Sequence, residues 1–219
     1  MKRIFVTTIA ASALLMGGVA LAQNFQAATP AQSVQGFSHP DTVAADLDML
    51  DMALNNTGTL RGRFVQTAGD GRTAQGNIYL SRPGKIRFEY DAPNPMLIVS
   101  DGKTIMQSDK ALGTSDRIPL KSTPLDFFLK NQVKLSRDTQ VLSLIKRPGE
   151  TQVTVRDGSG KAAGEMTLIF DAGNYALKEW IVLDEFGTST RITLSGLVYN
   201  ESLDPQLFVL DRGAKRRRD

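Results

Sequence analysis

From Thr59 to Tyr199 the chain repeats one local pattern: short runs of alternating apolar and polar residues, cut by pairs that make the backbone reverse. Alternation with period two marks a strand that has one buried and one wet face. The cuts include Asp70-Gly71, Pro83-Gly84, Asp101-Gly102, Asp157-Gly158, Asp171-Ala172-Gly173 and Phe186-Gly187. These residues supply the tight reversals and positive φ angles of hairpins. Candidate strands fall at 60–67, 73–82, 85–90, 96–100, 103–107, near 117–120, 133–135, 140–147, 151–156, 165–170, 175–183 and 188–199. Near-even strands joined by short turns predict an antiparallel meander, because parallel βαβ units need crossovers of a dozen residues or more. A meander this long has to dispose of its edges, and curling toward closure does so.

Two segments break the pattern. A helix is predicted from Asp41, a plausible N-cap, with Val43, Leu47, Leu50 and Leu54 on one face and Gly58 ending it. Asp46, Asp48 and Asp51 fall mainly elsewhere on its surface, so one side is buried against the sheet. Midway through the strands, Ser122-Thr123-Pro124-Leu125-Asp126-Phe127-Phe128-Leu129-Lys130-Asn131 reads as about two helical turns. Ser122 or Thr123 can cap it, Pro124 suits the first turn and Asn131 can stop it. Leu125, Phe128 and Leu129 share a side, with Phe127 flanking. A helix so short and so apolar has to cover something.

The strand phases say what it covers. One phase carries Ile78 and Leu80; Ile86, Phe88 and Tyr90; Met166, Leu168 and Phe170. The other carries Asn77, Ser81, Lys85, Arg87, Glu89, Glu165 and Thr167. The greasy face is either a packed core or the wall of a cavity, and a packed core is the commoner outcome for a sheet. Methionines 49, 52, 96, 106 and 166 suit an adaptable lining but serve equally as core filler. Trp180, between Glu179 and Ile181, reads as core or cavity wall rather than a sugar platform.

Export is the next constraint. Lys2 and Arg3 precede a largely apolar stretch, and Ala20-Leu21-Ala22 is a small-x-small cleavage site, so residues 1–22 read as a signal peptide. The apolar run is short and interrupted for a transmembrane anchor. Residues 23–40 are small and polar and read as a flexible lead-in. The chain has no cysteine, so in an oxidising compartment the core must hold the fold without disulfides, and a mature N-terminus could not itself be lipidated. Residues 41–211 read as one domain, since no linker divides them and no repeat appears.

The net charge of +3 is a matter of the ends. Between the signal and the last eight residues the chain holds 19 basic and 22 acidic groups, while residues 212–219 hold five basic and one acidic. A nucleic-acid surface is not indicated. Catalytic readings fare no better. The single histidine, His39, sits in the lead-in, and with no cysteine neither metal clusters nor Cys/His nucleophile pairs are available. Most acidic residues belong to turn dipeptides. No enzyme, metal or cofactor is therefore expected.

One ordered set of segments goes further. It comprises an amphipathic helix; Gly62-Arg63-Phe64-Val65-Gln66-Thr67; Gln75-Gly76-Asn77-Ile78-Tyr79-Leu80; Arg82-Pro83-Gly84-Lys85 with Phe88-Glu89-Tyr90; Val99-Ser100-Asp101-Gly102-Lys103-Thr104; and Thr123-Pro124-Leu125. In this order they resemble the periplasmic outer-membrane lipoprotein carrier, or LolA-like, family. The resemblance implies a mainly β fold: a single incomplete, half-open antiparallel β-barrel of about 11 strands, covered by an N-terminal helix and a short mid-chain lid helix. It implies a monomeric periplasmic chaperone that takes triacylated lipoproteins from an inner-membrane ABC transporter to an outer-membrane acceptor. Arg82 matches the family's lid latch. Leu125, Phe127, Phe128 and Leu129 match the lid, and Leu50, Leu54, Phe64, Ile78, Leu80, Ile86, Phe88, Tyr90, Met166, Leu168 and Phe170 become cavity candidates. Two other uses of the scaffold stay open. One is a lipid-sensing or regulatory domain; the other is a carrier that also inserts its cargo, for which loop 92–97 is the candidate tip. Some relatives continue into a further strand where this chain carries the tail Lys215-Arg216-Arg217-Arg218. That tail reads as a disordered solubilising end or as a contact with anionic lipid.

Overall fold

The computed structural model of the chain describes residues 40–210, so the expected signal peptide, most of the lead-in with His39, and the basic tail lie outside the described residues. The alternating runs become β1 (Thr59–Ala68), β2 (Thr73–Ser81), β3 (Lys85–Tyr90), β4 (Met96–Asp101), β5 (Thr104–Asp109) and β6 (Thr114–Pro119). After an interruption come β7 (Thr139–Arg147), β8 (Glu150–Asp157), β9 (Glu165–Asp171), β10 (Leu177–Leu183) and β11 (Ser189–Tyr199). They form one antiparallel sheet in the order β6-β5-β4-β3-β2-β1-β11-β10-β9-β8-β7. All neighbours but one pair are sequential hairpins. The exception sets β1 beside β11, with Leu60 opposite Tyr199 and Ala68 opposite Thr190. The first and last strands are thus the middle of the sheet, while β6 and β7 are its edges. The sheet stays unclosed between those edges, and the chain that joins them, residues 120–138, runs across the gap.

Turn chemistry fixes the hairpins. Asp101 Oδ1 accepts from the N–H groups of Lys103 and Thr104, both at 2.8 Å, and Asp157, Asp171 and Asp184 close their turns in the same way. These carboxylates replace backbone acceptors that a reversing chain lacks.

The inner face carries the predicted phase. Ile78, Leu80, Ile86, Phe88, Met166, Leu168 and Phe170 are buried, joined by Phe64, whose ring meets Phe88 and Tyr90 edge-on at 5.1 Å each. Helix α1 (Pro40–Asn55) lays Leu47, Leu50 and Leu54 on this face, each worth roughly 1.5–3 kcal/mol when fully buried. The helix starts at Pro40, so Asp41 lies in its first turn rather than before it; a proline's fixed φ suits that opening position. Asp51 departs from the surface reading. It is buried because its carboxylate accepts the Leu135 N–H at 2.8 Å and pairs with Lys134 at 3.2 Å.

Residues 133–135 are not a strand. Leu135–Asp138 forms a helical turn, α3, because Asp51 and Asp138 take the N–H groups of Leu135 and Lys134 that a ladder would otherwise use. The methionines are not a lining either. Met166 alone joins the inner cluster, Met49 and Met52 are exposed, and Met106 is buried on the outer face. On that outer face a 3₁₀ turn, Pro205–Phe208, begins at Asp204 and lies against β3 and β4. Arg87 Nη1 donates to the Leu207 carbonyl at 3.2 Å, and Phe208 is buried, as is outward-facing Val99.

Candidate functional site

The segment between the two edges is more irregular than the predicted two-turn helix. A 3₁₀ turn (Leu120–Ser122) leads into a single α-turn, α2 (Leu125–Phe128). Ser122 and Thr123 do not cap it. Their hydroxyls donate backwards, to Pro119 O at 2.7 Å and Leu120 O at 2.8 Å, and Pro124 stands at the N-cap. With no donor-accepting cap and a proline at its head, the helix does not extend. Leu125, Phe127, Phe128 and Leu129 are nevertheless all buried.

The carbonyls that end this turn have no partner within the helix, and the β2–β3 hairpin supplies them. Arg82 Nη1 donates to Phe128 O at 2.5 Å and to Lys130 O at 2.7 Å, and the Gly84 N–H donates to Leu129 O at 2.8 Å. Three successive carbonyls are thus held by one tripeptide. Gly84 has φ +77°, and a Cβ there would lie 2.6 Å from Gly102 Cα, so only glycine fits. Buried Ser100 donates to Gly84 O at 2.7 Å and accepts from Gly102 N, tying this hairpin to the next. The Arg82 guanidinium also stands 5.3 Å from the Phe128 ring centroid. Burial lowers its pKa to about 10, which leaves it charged at neutral pH. Its acceptors are carbonyls, and its Nε is buried with no acceptor.

The far side of the same segment is fastened to α1. The Asn55 amide exchanges hydrogen bonds with the Val133 backbone, at 2.9 and 2.7 Å. Asp138 gathers Lys130 Nζ at 3.1 Å, the Lys134 N–H at 2.9 Å and Arg137 at 3.0 Å. Burial alone would raise its pKa, but these donors outweigh it and hold the carboxyl down at about 2.

Beneath this segment the interior is not solid. A hollow of about 520 Å³ lies among Phe88, Tyr90, Ile98, Leu125, Trp180, Val182 and Ile192. A second, of about 300 Å³, is bounded by Leu54, Ile78, Leu80, Arg82, Phe128 and Phe170. Trp180 borders both. Its ring sits 5.5 Å from Phe128 and 6.2 Å from Phe88, so Phe128 and one indole divide the interior. Tyr90 donates its hydroxyl to Gln66 Oε1 at 2.5 Å at the edge of the larger hollow, and burial pushes its pKa up.

Of the residues singled out from sequence, Leu54, Ile78, Leu80 and Phe170 meet the smaller hollow, and Phe88 and Tyr90 the larger. Leu50, Phe64, Ile86, Met166 and Leu168 line neither; they are packed into the surrounding wall. Val182, Thr190 and Ile192 also line the larger hollow, and Trp180/Val182 and Thr190/Ile192/Leu194 alternate in the sequence as plainly as Ile86/Phe88/Tyr90. The arrangement can take up apolar chains and exclude water from them. Among the described residues no group of three or more His, Cys, Asp or Glu is placed to hold a metal ion.

Comparison with known proteins agrees with this geometry. An outer-membrane lipoprotein carrier protein from Chromobacterium violaceum is 28% identical over 191 residues, covering 84% of this chain and 91% of its own length. One from Cupriavidus taiwanensis is 30% identical over 197 residues, covering 78% and 87%. A DUF1329 family protein of known structure from Desulfovibrio piger shares the fold at 13% identity, with a TM-score of 0.51 over 78% of this chain and 98% of that one. The family model described as "Outer membrane lipoprotein carrier protein LolA" matches residues 55–211, from the end of α1 through all eleven strands. That match, over an unclosed sheet whose edges are bridged by a clamped apolar segment, places the chain in the LolA family of outer membrane lipoprotein carriers.

Proposed function

We propose that this protein is a periplasmic chaperone that shelters the acyl chains of lipoproteins. In this reading it takes triacylated cargo from an inner-membrane ABC transporter and passes it to an acceptor at the outer membrane. The observation that carries the reading is Arg82 clamping the carbonyls of residues 128 and 130 beside the smaller apolar hollow, in an interior that holds a second and larger one. The names of the relatives point the same way.

The energetics require such a device. An acyl chain gains ~0.8 kcal/mol per buried CH₂, so a chain of about fifteen methylenes gains ~12 kcal/mol. Three chains do not leave a bilayer for water unaided at a useful rate. A host that held them at full strength would not let go. A lid that costs a few kcal/mol to open reduces apparent affinity by the fraction of molecules that are open. The hollow of about 520 Å³ is of a size for one drug-like ligand, against a range of ~300–1,000 Å³ for such sites. Three acyl chains exceed that, so loading displaces Phe128 and joins the two hollows.

The test is mass spectrometry of the protein taken from the periplasm, alongside Arg82→Leu. Acylated polypeptides should co-purify, and the variant should change the balance between loaded and empty protein. Protein that never carries acylated cargo would overturn the proposal. A variant that transfers cargo normally would remove Arg82 from the mechanism.

A further inference from the structure

Of the two hollows, only the larger reaches the end of the sheet opposite Arg82. Strand register shows this: β1 pairs Thr59 with Ser81 at one end and Thr67 with Thr73 at the other, and Ala68 pairs with Thr190. Leu183 then faces Ser189 across the β10–β11 turn. Arg82 therefore sits at the end of β2 opposite to the turn 184–188. The smaller hollow touches Arg82, Tyr199 and Asn200, all at the latch end. The larger one runs from Pro119 and Leu125, on the segment that bridges the sheet edges, to Asp184, Phe186, Thr188 and Lys161, on the turns of the other end.

Phe186 is 70% exposed although it also lines the hollow. An isolated exposed apolar side chain is ordinary on a protein surface; one held at the rim of an apolar chamber is not. Its backbone is fixed rather than loose. Asp184 Oδ1 accepts from the N–H groups of Phe186 at 2.9 Å and Thr188 at 2.8 Å, and Gly187 turns the chain at φ +79°. The other oxygen of the same carboxylate, Oδ2, is buried with no donor. The rim thus combines an aromatic ring, exposed Lys161 and an unmet hydrogen-bond acceptor around an apolar throat. A triacylated peptide presents the matching sequence of chemistry: alkyl chains first, then amide N–H groups, then a polar chain left in water.

Resting on the carrier reading, we infer that the β10–β11 hairpin at Phe186 is the portal through which acyl chains pass. The lipid–peptide junction then sits at Asp184, and the latch at Arg82 controls the chamber from the opposite end.

Two properties of the chain make the test clean. It has no cysteine, so a single introduced thiol is the only one, and Trp180, its one tryptophan, borders both hollows. The probe is a synthetic cysteinyl peptide triacylated with dibromostearoyl chains, whose bromines quench tryptophan emission on contact. The full-length mature protein should be quenched, and the affinity of unlabelled Phe186→Cys is the reference for its labelled form. Coupling a polyethylene-glycol maleimide at position 186 should weaken the apparent affinity at least tenfold. The same label on Lys103→Cys, an exposed position on the β4–β5 turn at the latch end, should leave it unchanged. Equal binding with position 186 blocked, or a loss as large with position 103 blocked, overturns the portal alone. Absence of quenching in the unmodified protein overturns the carrier reading with it.

Discussion

Arg82 and Phe128 meet twice: the guanidinium donates to the Phe128 carbonyl at 2.5 Å and lies 5.3 Å from the centroid of its ring. One residue thus holds both the backbone and the side chain of the lid. The two contacts ask for different properties, a fork of donors and a flat cation, and arginine has both. Arg82→Lys should keep part of the backbone grip and lose the flat stacking. Amide exchange at Phe128–Lys130 should be faster in the lysine variant than in wild type, and fastest in Arg82→Leu. Unchanged exchange in the leucine variant would show that Arg82 does not hold the segment.

Gly84 donates the third lid hydrogen bond from a conformation that other residues resist. Gly84→Ala meets the Gly102 backbone at 2.6 Å and sits at φ +77°; left-handed strain alone costs roughly 1–3 kcal/mol, before any clash. Denaturant unfolding should show a loss of at least that size. It should come with faster lid exchange, because the hairpin that carries Arg82 has to move.

Phe128 is buried between the latch and Trp180. Phe128→Ala should cost ~3–5 kcal/mol if the site fails to collapse, and less to the extent that a lid already beside a hollow can relax. The discriminating readout is the single tryptophan. Its emission should move to longer wavelength as the two hollows join and water reaches the indole. An unshifted spectrum would mean that Phe128 does not separate them.

Acid should loosen the segment from the α3 side. Asp138 is held at about 2 against an ordinary value of 3.8, so the native state favours its ionised form. Its contribution is complete above about pH 5 and is lost as pH falls through 4 toward 2. At 1.36 kcal/mol per unit it amounts to ~2 kcal/mol. Asp138→Asn should be destabilised by about that much at neutral pH and should match wild type more closely near pH 2, as measured by urea midpoints. A constant difference across that range would remove Asp138 as the titrating group.

How much could be read beforehand differs between strands and lid. Period-two alternation and Asx-Gly turns located the strands to within a few residues, since both signals are local. The apolar phase through Ile78, Leu80, Ile86, Phe88, Met166, Leu168 and Phe170 also named the inner face. The helical turn at Leu135–Asp138 was not legible. What decides it is Asp51, 84 residues away, which satisfies the Leu135 N–H. The burial of Asp51 itself follows from the same contact.

The sequence by itself determined the strands, their greasy phase and an apolar segment that needed something to cover, because backbone turn chemistry and side-chain alternation act over a few residues. Only the tertiary structure decided that β1 pairs with β11, and hence that the sheet opens between β6 and β7. It alone decided which side chains line empty volume and which are packed solid. Pairing of distant strands and the space left between side chains are properties of whole surfaces meeting, and no local pattern encodes them.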